Sequence, residues 1–419
     1  MNIICKWRAL PALLLAVLTA GAAGACALDD SRAGLEGYAY KTLLSEKGRL
    51  DIVREPPPLD FRRGMLTDLP VYNGKDTNPF QVDLRSYDLT SLDLTGRLED
   101  LLHSNFDSKT NWPAKLPSGF APDKLMELGK NPGLNVRELH KRGIDGRGVG
   151  LAIIDQGLLV SHIEYRDRLK MYEELHSIDE TASMHGPAVA SIAVGKNVGV
   201  APGADLYYIA ESHADTFDLD FTWTAKAIGR LLQVNEALPE GKKIRVISIS
   251  AGWTPERKGY KEVSEAVERA KKAGVFVIST VLQENYKLGF HGLGRRPFDD
   301  PDSFASYGPG IWWRDEFFKG EYSEPGTELL MVPMDSRCTA GPTGDSDYMF
   351  AAIGGWSWSV PYIAGLYALA CQVDPDITPE RFWAAALKTG DTNSIEKDRV
   401  KYMLGKIANP VRLIESLQK

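Results

Sequence analysis

The sequence predicts a doubly wound, mostly parallel α/β sheet with helices on both faces, preceded by an N-terminal extension. The first observation is a set of continuous apolar runs, at residues 149–155, 205–210, 245–250 and 275–281. Runs that are apolar throughout are typical of parallel strands buried on both faces. The second observation is that helical patterns separate these runs. Strand, helix and strand in alternation predict a parallel sheet.

Two of the helical patterns have clear ends. Residues 262–272 begin with acidic and end with basic residues, carry one apolar stripe, and are followed by Gly274 as a stop. Residues 135–142 have Asn135 as a candidate N-cap and Gly143 as a stop. Ligands of such sheets bind beyond the carboxyl ends of the strands. We therefore expect chemistry near the ends of the apolar runs.

A further helix is predicted from Val360 onwards, where the chain is apolar on every side. Such a helix is buried all round rather than amphipathic. Pro361 is expected in its first turn, because a proline deeper in the helix removes a hydrogen bond and clashes with the preceding turn. Glycines precede this helix and place Ser357 or Ser359 beside unpaired backbone N–H groups. Each serine is read either as a nucleophile or as a helix cap.

The N-terminus predicts a signal peptide over residues 1–27. A basic start is followed by an apolar run over residues 9–25 and by small residues at cleavage-like positions. An uncleaved anchor is the alternative, and Cys26 at this boundary also suggests a possible lipid anchor, as in bacterial lipoproteins. No later segment reaches the roughly 18 apolar residues of a membrane span. We predict a secreted or cell-envelope protein.

Residues 28–120 form an N-terminal extension of different character, and residues 121–419 form the main domain. In the extension, Asp-Leu pairs recur every five residues at Asp83, Asp88 and Asp93. Three copies are too few to bury a solenoid core, so chance or a short strand is the preferred interpretation. The extension is a pro-region, an interaction segment or a wrap around the main domain; the sequence leaves these alternatives open.

Composition restricts the partners. The chain of 419 residues has 49 basic and 56 acidic residues and a net charge of -7. No basic stripe of the kind that nucleic-acid binding needs is found, and we expect no nucleic-acid partner. Four cysteines imply no disulfide framework. We expect Cys338 in a loop and Cys371 as a buried free thiol.

Two further residues fit acid–base chemistry with a serine. His185 opens an apolar helical run, and an imidazole there accepts a proton from a hydroxyl when a carboxylate orients its other nitrogen. Asp155, at the end of a buried run, is the natural orienting group, because a buried carboxylate needs a partner. Taken alone, each has an ordinary structural interpretation, as a helix-start histidine and a loop cap.

Together these blocks resemble the subtilisin-like serine peptidases, or subtilases, over roughly residues 135–390. The resemblance implies a subtilisin-like fold, Ser357 as nucleophile, His185 as general base and then acid, and Asp155 as the group that fixes the histidine tautomer. Ser359 does not have the family's spacing to the helix proline. The matching blocks, in the family's order, are 152–155, His185-Gly186-x-x-Val189-Ala190 and Gly355-x-Ser357-x-x-x-Pro361-x-x-Ala364-Gly365.

The resemblance also implies a substrate-binding edge at Ser250, Ala251 and Gly252, where an extended peptide is bound by strand addition. The sequence departs from the family where an asparagine amide donates to the oxyanion. Gln283 falls in that register, with its amide displaced by about one C–C bond, roughly 1.5 Å. Asn285 replaces it if the loop is shifted, and a third interpretation is that neither side chain faces the site.

Smaller departures are Gln156 after the aspartate and Trp356 before the nucleophile. Of the remaining histidines, His162 is expected to be structural, and His176 and His213 to lie at the surface. Aromatic residues between the fourth strand and the nucleophile line a cleft or fill a core, with core as the default. These aromatic residues include Phe298, Phe304, Trp312 and Trp313.

The predicted function is a serine endopeptidase that hydrolyses peptide bonds of a peptide or protein substrate through an acyl-enzyme on Ser357. No cofactor is expected and no metal site is assigned. The alternative is a catalytically impaired subtilase-fold protein with a binding or regulatory role, suggested by the missing oxyanion asparagine. A ligase or transpeptidase activity is a third possibility that rests only on the versatility of the family.

Overall fold

In the computed structural model, residues 39–213, 219–322 and 328–418 are described. The predicted signal peptide and the possible lipid anchor at Cys26 lie outside these residues. Within the described ranges, no helix is both long and apolar enough to cross a membrane.

The strands are, in chain order, β1 Lys41–Leu43, β2 Gly64–Met65, β3 Val82–Asp83, β4 Tyr87–Asp88, β5 Ser104–Asp107, β6 Gly150–Asp155, β7 Leu169–Ser177, β8 Asp205–Ala210, β9 Ile244–Ile249, β10 Phe276–Ser279, β11 Gly289–Arg295, β12 Tyr307–Pro309, β13 Leu329–Pro333, β14 Arg337–Ala340, β15 Tyr348–Ala351, β16 Asp391–Lys397 and β17 Val400–Ile407. The helices are α1 Leu98–Leu102, α2 Pro122–Gly129, α3 Val136–Lys141, α4 His185–Val194, α5 Thr222–Ala237, α6 Tyr260–Lys272, α7 Leu282–Tyr286, α8 Arg314–Lys319, α9 Trp356–Val373, α10 Pro379–Thr389 and α11 Pro410–Leu417.

The central sheet has six strands in the order β1-β7-β8-β6-β9-β10. Neighbouring strands of this sheet are parallel, with one exception: the edge strand β1 is antiparallel to β7. Side chains of β6 alternate between two hydrophobic clusters. Leu151 and Ile153 pack with α4 and α9, and Ala152 and Ile154 pack with α5 and α6. The predicted mixed α/β architecture with a largely parallel sheet is confirmed.

Smaller sheets surround the central one. β12-β11-β13-β17-β16 form a five-stranded sheet, β14-β15-β5-β3 a four-stranded sheet, and β2-β4 a pair. β15 leads directly into the chain before α9. The four-stranded sheet therefore joins the extension to the segment that carries Ser357.

The predicted element bounds hold within a few residues, with one wrong detail in each of two helices. Asn135 precedes α3 but does not cap it with its side chain, because its φ is 60° and its amide donates to the Asp302 carbonyl oxygen. Pro361 is not in the first turn of its helix. α9 begins at Trp356, so Pro361 is the sixth helical residue. The turn residues before Val360 are already helical.

Cys338 was predicted in a loop, but it lies buried on β14. The strand was missed because it is short and because the chain around it is polar. Cys371 is buried in α9, as predicted. Both are free thiols in the described residues.

The start of the extension is built into the edge of the central sheet. Beyond β1, the N–H of Val53 donates to the carbonyl oxygen of Tyr172 on β7. Arg54 follows, and its Nε donates to Glu174 Oε1 at 2.7 Å. Glu174 is fully buried, and a buried carboxylate without a cation is costly. The extension thus neutralises a charge inside the main domain.

The five-residue pattern in the extension is not due to chance, and the short-strand interpretation is confirmed for its first two copies, since Asp83 ends β3 and Asp88 ends β4. Leu84, Leu89 and Leu94 are all buried in one apolar cluster. Their N–H groups donate to carbonyl oxygens of a second segment, those of Asn105, Asn111 and Lys115, at distances of 2.8 to 3.0 Å. The three copies do not form a core alone. They form one because Phe106 and Phe350, distant in sequence, complete the cluster.

Candidate active site

Asp155 and His185 meet at the carboxyl end of the central sheet. Asp155 is the last residue of β6, and His185 is the first residue of α4. His185 Nδ1 lies 2.7 Å from Asp155 Oδ1, and both side chains are buried. The same Oδ1 accepts the N–H of Gln156 at 2.8 Å. A carboxylate accepts only, so the proton of a neutral imidazole is placed on Nδ1, and Nε2 is the acceptor.

The close approach of α4 to the aspartate loop requires a glycine at position 186. A Cβ at Gly186 would lie 2.5 Å from the Gln156 carbonyl oxygen and 2.6 Å from Tyr208 Oη. Both distances are shorter than any ordinary contact. Tyr208 is fully buried and donates to that same carbonyl oxygen. The motif glycine therefore sets how near His185 comes to Asp155.

Ser357 is the second residue of α9 and is half-buried. Its Oγ donates to the Ser250 carbonyl oxygen at 3.3 Å, and Ser250 Oγ donates to the Ser357 carbonyl oxygen at 3.0 Å. The second bond has a cause in the sequence. In an α-helix the Ser357 carbonyl would accept from residue 361, but Pro361 has no N–H. Ser250 supplies the missing donor.

The structure shows no hydrogen bond between the side chains of Ser357 and His185. The Ser357 hydroxyl is engaged by Ser250, and His185 Nε2 is buried without a hydrogen-bond partner in the described residues. Trp358 stands next to both, since it follows Ser357 in α9 and its ring lies 5.6 Å from the His185 ring. The hydroxyl must exchange acceptors before it can transfer its proton to the imidazole.

Ser359, the other candidate, is fully buried. A substrate cannot reach Ser359 unless α9 separates from the elements packed around it. Its Oγ has no hydrogen-bond partner among the described residues. Burial thus separates two serines that local sequence alone left as alternatives.

The three residues Ser250, Ala251 and Gly252 follow β9 directly. The Ala251 carbonyl oxygen accepts the N–H of Thr280 at 3.1 Å, so part of this segment already bonds within the protein. A Cβ at Gly252 would lie 2.4 Å from Thr280 Oγ1. Gly252 therefore gives room to the segment that follows β10.

Gln283 and Asn285 lie on the short helix α7, not on an extended loop. The helix turns back along edge strand β10, because Tyr286 Oη accepts the N–H of Val277. The Asn285 carbonyl oxygen accepts a hydrogen bond from Lys271 Nζ. Within the described chain, Gln283 Oε1 and Asn285 Nδ2 are buried without hydrogen-bond partners. The structure shows no bond from either side chain to Ser357.

A second buried acid–histidine pair, Glu211 and His213, was not predicted, and the surface position predicted for His213 was wrong. Glu211 and His213 follow β8, and the Glu211 N–H donates to the Asp155 carbonyl oxygen at 2.7 Å. Glu211 Oε2 accepts from His213 Nδ1 and from Thr224 Oγ1. Burial lowers the pKa of His213, but the Glu211 carboxylate outweighs it and the pKa is raised. Position beyond a strand end was the signal that could have identified this pair.

His176 is also buried, contrary to prediction, because its ring stacks between Tyr40 and Trp223. Tyr40 belongs to the extension, so the contact has no signature near the histidine. His162 is structural as predicted. It is fully buried, its Nε2 lies 2.9 Å from the Asp347 carbonyl oxygen, and burial lowers its pKa.

The sequence did not decide whether four aromatic residues line a cleft or fill the core. Trp313 is buried in the core, and Trp312 is half-buried and bonds to Gly354, three residues before Ser357. Phe298 and Phe304 pack partly buried against separate apolar clusters. Across the described ranges, no group of three His, Cys, Asp or Glu side chains is placed to hold a metal ion.

The chain is similar in sequence to proteases of other organisms. A thermostable alkaline protease of Halalkalibacterium halodurans is 26% identical over 266 residues, covering 58% of this chain and 63% of that protein. Subtilisin E of Bacillus subtilis is 25% identical over 248 residues, covering 57% of this chain and 60% of that protein. The matches thus span less than two thirds of these relatives.

A solved structure, that of the prenylagaramide maturation protease PagA, aligns with a TM-score of 0.46 and 18% identity, over 68% of this chain and 98% of that one. The family model of the subtilases matches residues 146–281. The matched segment contains Asp155 and His185 and ends before Ser357. The resemblance to the subtilases found in the sequence is confirmed by this match to the family model over residues 146–281.

Proposed function

We propose that this protein is a serine endopeptidase with Asp155, His185 and Ser357 as its catalytic residues. The observation that carries the proposal is the buried 2.7 Å bond between Asp155 and His185 Nδ1 within a subtilase-family segment. It leaves Nε2 as the proton acceptor of the imidazole. Ser357, at the start of a buried helix, is the half-buried hydroxyl that matches the family's spacing.

The proposed reaction has two steps. Ser357 Oγ attacks the scissile carbonyl carbon, its proton passes to His185 Nε2, and the carbon–nitrogen bond breaks as His185 returns the proton to the leaving amine. Water then hydrolyses the acyl-enzyme by the same route. Asp155 stabilises the imidazolium that forms in each step. The Ser357 hydroxyl first leaves its bond to the Ser250 carbonyl.

Negative charge on the substrate oxygen needs donors. The first N–H groups of α9 have no acceptors within the helix, and the helix dipole favours an anion there. Gln283 is the proposed side-chain donor, and Asn285 the alternative. We expect Gln283→Leu to lower kcat by about 10² to 10³, the effect of removing one such donor in subtilisin itself. If kcat is unchanged in Gln283→Leu but falls in Asn285→Leu, Asn285 is the side chain that donates to the substrate oxygen.

A fluorophosphonate probe tests the nucleophile. We expect covalent labelling of the peptide that contains Ser357, loss of labelling in Ser357→Ala and in His185→Ala, and retained labelling in Ser359→Ala. The Ser359 variant is a matched control, because it removes a hydroxyl from the same helix. Labelling that Ser357→Ala leaves unchanged would refute the proposal.

The second candidate is a catalytically impaired subtilase fold that binds peptides. Two observations favour it: the Ser357 hydroxyl bonds to the Ser250 carbonyl oxygen rather than to His185, and Gln283 replaces the asparagine. This candidate predicts no turnover of denatured protein substrates and no labelling, with retained binding of an extended peptide. Measuring turnover and peptide binding on one preparation separates the two.

We also propose export by a signal peptide over residues 1–27, with lipid attachment at Cys26 as the alternative to release, and an extension over 28–120 before a peptidase domain over 121–419. Intact mass of the protein isolated from its native host tests these points. A mass that begins after residue 27 supports export, and an added diacylglycerol mass on Cys26 supports attachment. Detection of residue 1 in the mature protein contradicts both.

A further inference from the structure

The peptide groups of Gly354 are held by two side chains from distant parts of the chain. Asp335 Oδ1 accepts the Gly354 N–H at 2.8 Å. Trp312 Nε1 donates to the Gly354 carbonyl oxygen at 2.7 Å. Gly354 lies three residues before Ser357 and directly before Gly355, the N-cap residue of α9. The two contacts therefore fix the point at which the chain enters the nucleophile helix.

Gly354 has no freedom to shift in this arrangement. It is buried, and a Cβ on it would lie 2.2 Å from the Met334 carbonyl oxygen. The backbone thus passes as close to the chain before Asp335 as a glycine allows. Side-chain contacts on both of its polar groups leave one position for the peptide.

The two side chains are themselves fixed. The Asp335 N–H donates to the Leu293 carbonyl oxygen at 3.2 Å, and the next N–H, of Ser336, donates to the Ala352 carbonyl oxygen at 3.0 Å. These two bonds hold the backbone at Asp335 and Ser336 against β11 and against Ala352, the residue that follows β15. Trp312 is adjacent to Trp313, which is buried and donates through Nε1 to the Gly292 carbonyl oxygen at 2.8 Å. Rigid neighbours make both contacts suitable for positioning.

We propose that Asp335 and Trp312 are positioning residues, which set the place of Ser357 by holding the Gly354 peptide groups from both sides. The inference rests on the proposed function, because it assigns a role in the reactivity of Ser357. Neither residue is among the proposed catalytic residues, and both act through the backbone. A displacement of about 1 Å at a reacting group lowers rates by about 100-fold, so a contact three residues away is sufficient to matter.

The variants separate hydrogen bonding from packing. Asp335→Leu removes the acceptor, and Asp335→Asn keeps one at nearly the same place. Trp312→Phe removes the indole N–H and keeps an aromatic ring. Trp383→Phe is the matched control, since the Nε1 of Trp383 is buried without a partner in the described part of the chain and the residue lies on α10.

Two measurements are made on each folded variant. The first is the rate constant of labelling by a fluorophosphonate at saturation. We expect a 10- to 100-fold decrease in Asp335→Leu and Trp312→Phe, and less than about a threefold change in Asp335→Asn and Trp383→Phe. The second is amide hydrogen exchange in the peptide that covers residues 350–360. We expect faster exchange than in the parent in Asp335→Leu, and exchange no faster than in the parent in Asp335→Asn.

The two measurements distinguish the failure of this inference from failure of the proposed function. If the parent protein is labelled and Asp335→Leu and Trp312→Phe are labelled at the parent's rate, the positioning role is overturned and Ser357 remains the nucleophile. Unchanged exchange in Asp335→Leu also overturns it. If the parent is not labelled at all, the proposed function fails, and the exchange result alone decides whether Asp335 holds the helix entry.

Discussion

Asp335→Asn should make the protein more stable at neutral and alkaline pH. Asp335 is buried, and burial raises the pKa of its carboxyl from the usual 3.8 to about 7, although the Gly354 N–H, Arg295 and Arg314 oppose this. Tyr72 is a further titratable neighbour. The asparagine side chain resembles the protonated acid in shape and in its acceptor. The substitution therefore removes only the cost of charging a buried group.

The sign and size of the effect follow from the two pKa values. A carboxyl with a raised pKa in the folded state contributes stability below the unfolded value of 3.8 and loses it as pH rises through about 7. The shift of about 3 pH units corresponds to about 4 kcal/mol at 1.36 kcal/mol per unit. The parent and the variant should therefore be equally stable near pH 4. Above pH 7 the variant should be more stable by as much as that amount.

The assay is urea denaturation at several pH values between 4 and 8, with both proteins carrying Ser357→Ala so that self-cleavage does not interfere. We expect the difference in the free energy of unfolding to grow by about 1.4 kcal/mol per pH unit up to pH 7 and then to level off. Asp167→Asn is the control, because that carboxyl is 78% exposed. Parallel curves for the parent and the Asp335 variant would show that Asp335 does not titrate with a raised pKa.

Three other predictions concern the contacts around the site. Arg54→Met leaves Glu174 buried without its cation and should lower the free energy of unfolding by about 3 to 5 kcal/mol. Arg62→Met, at an exposed pair, is the control and should leave it nearly unchanged; equal effects in urea denaturation contradict the structural role of the extension. Gly186→Ala should lower both the melting temperature and kcat by overpacking, by about 1 to 3 kcal/mol in stability; an unchanged kcat contradicts it. Ser250→Ala leaves a helix carbonyl without a donor and should cost about 1 to 3 kcal/mol, and an unaltered urea midpoint shows that another donor replaces it.

Much of the central domain is predictable because its signals are local. Strand β8 has the predicted bounds, and α6 begins two residues before the predicted helix. An apolar run or an apolar stripe is a property of neighbouring residues, and burial of these elements needs no other information. The start of α9 was misplaced for the opposite reason. Its first turn carries two serines and follows two glycines, and Pro361 suggested a later start than the tertiary structure allows.

The candidate site also has features that the sequence predicts and features that it does not. The motifs in the sequence select Asp155 and His185, and the structure places their side chains 2.7 Å apart. Both residues stand at ends of elements that the apolar pattern defines. The histidines predicted at the surface, His176 and His213, are both buried. Tyr40, distant in sequence, stacks on His176, whereas Phe221 and Thr224 enclose His213 as the chain turns into α5. Burial of a single polar residue leaves no periodic pattern in the sequence.

The sequence by itself determined the α/β class and, through its resemblance to the subtilases, the order of the three catalytic candidates and the preference for Ser357 over Ser359. The apolar runs and the motif around each candidate consist of residues at short spacings, which a single chain displays directly. Only the tertiary structure decided which groups hold the segment around Ser357, because Ser250 is 107 residues from Ser357 and Trp312 is 42 from Gly354. It also decided that the extension is part of the sheet edge, since Arg54 meets Glu174 across 120 residues. A hydrogen bond between distant residues is specified by the packing of whole elements, and neither partner shows it alone.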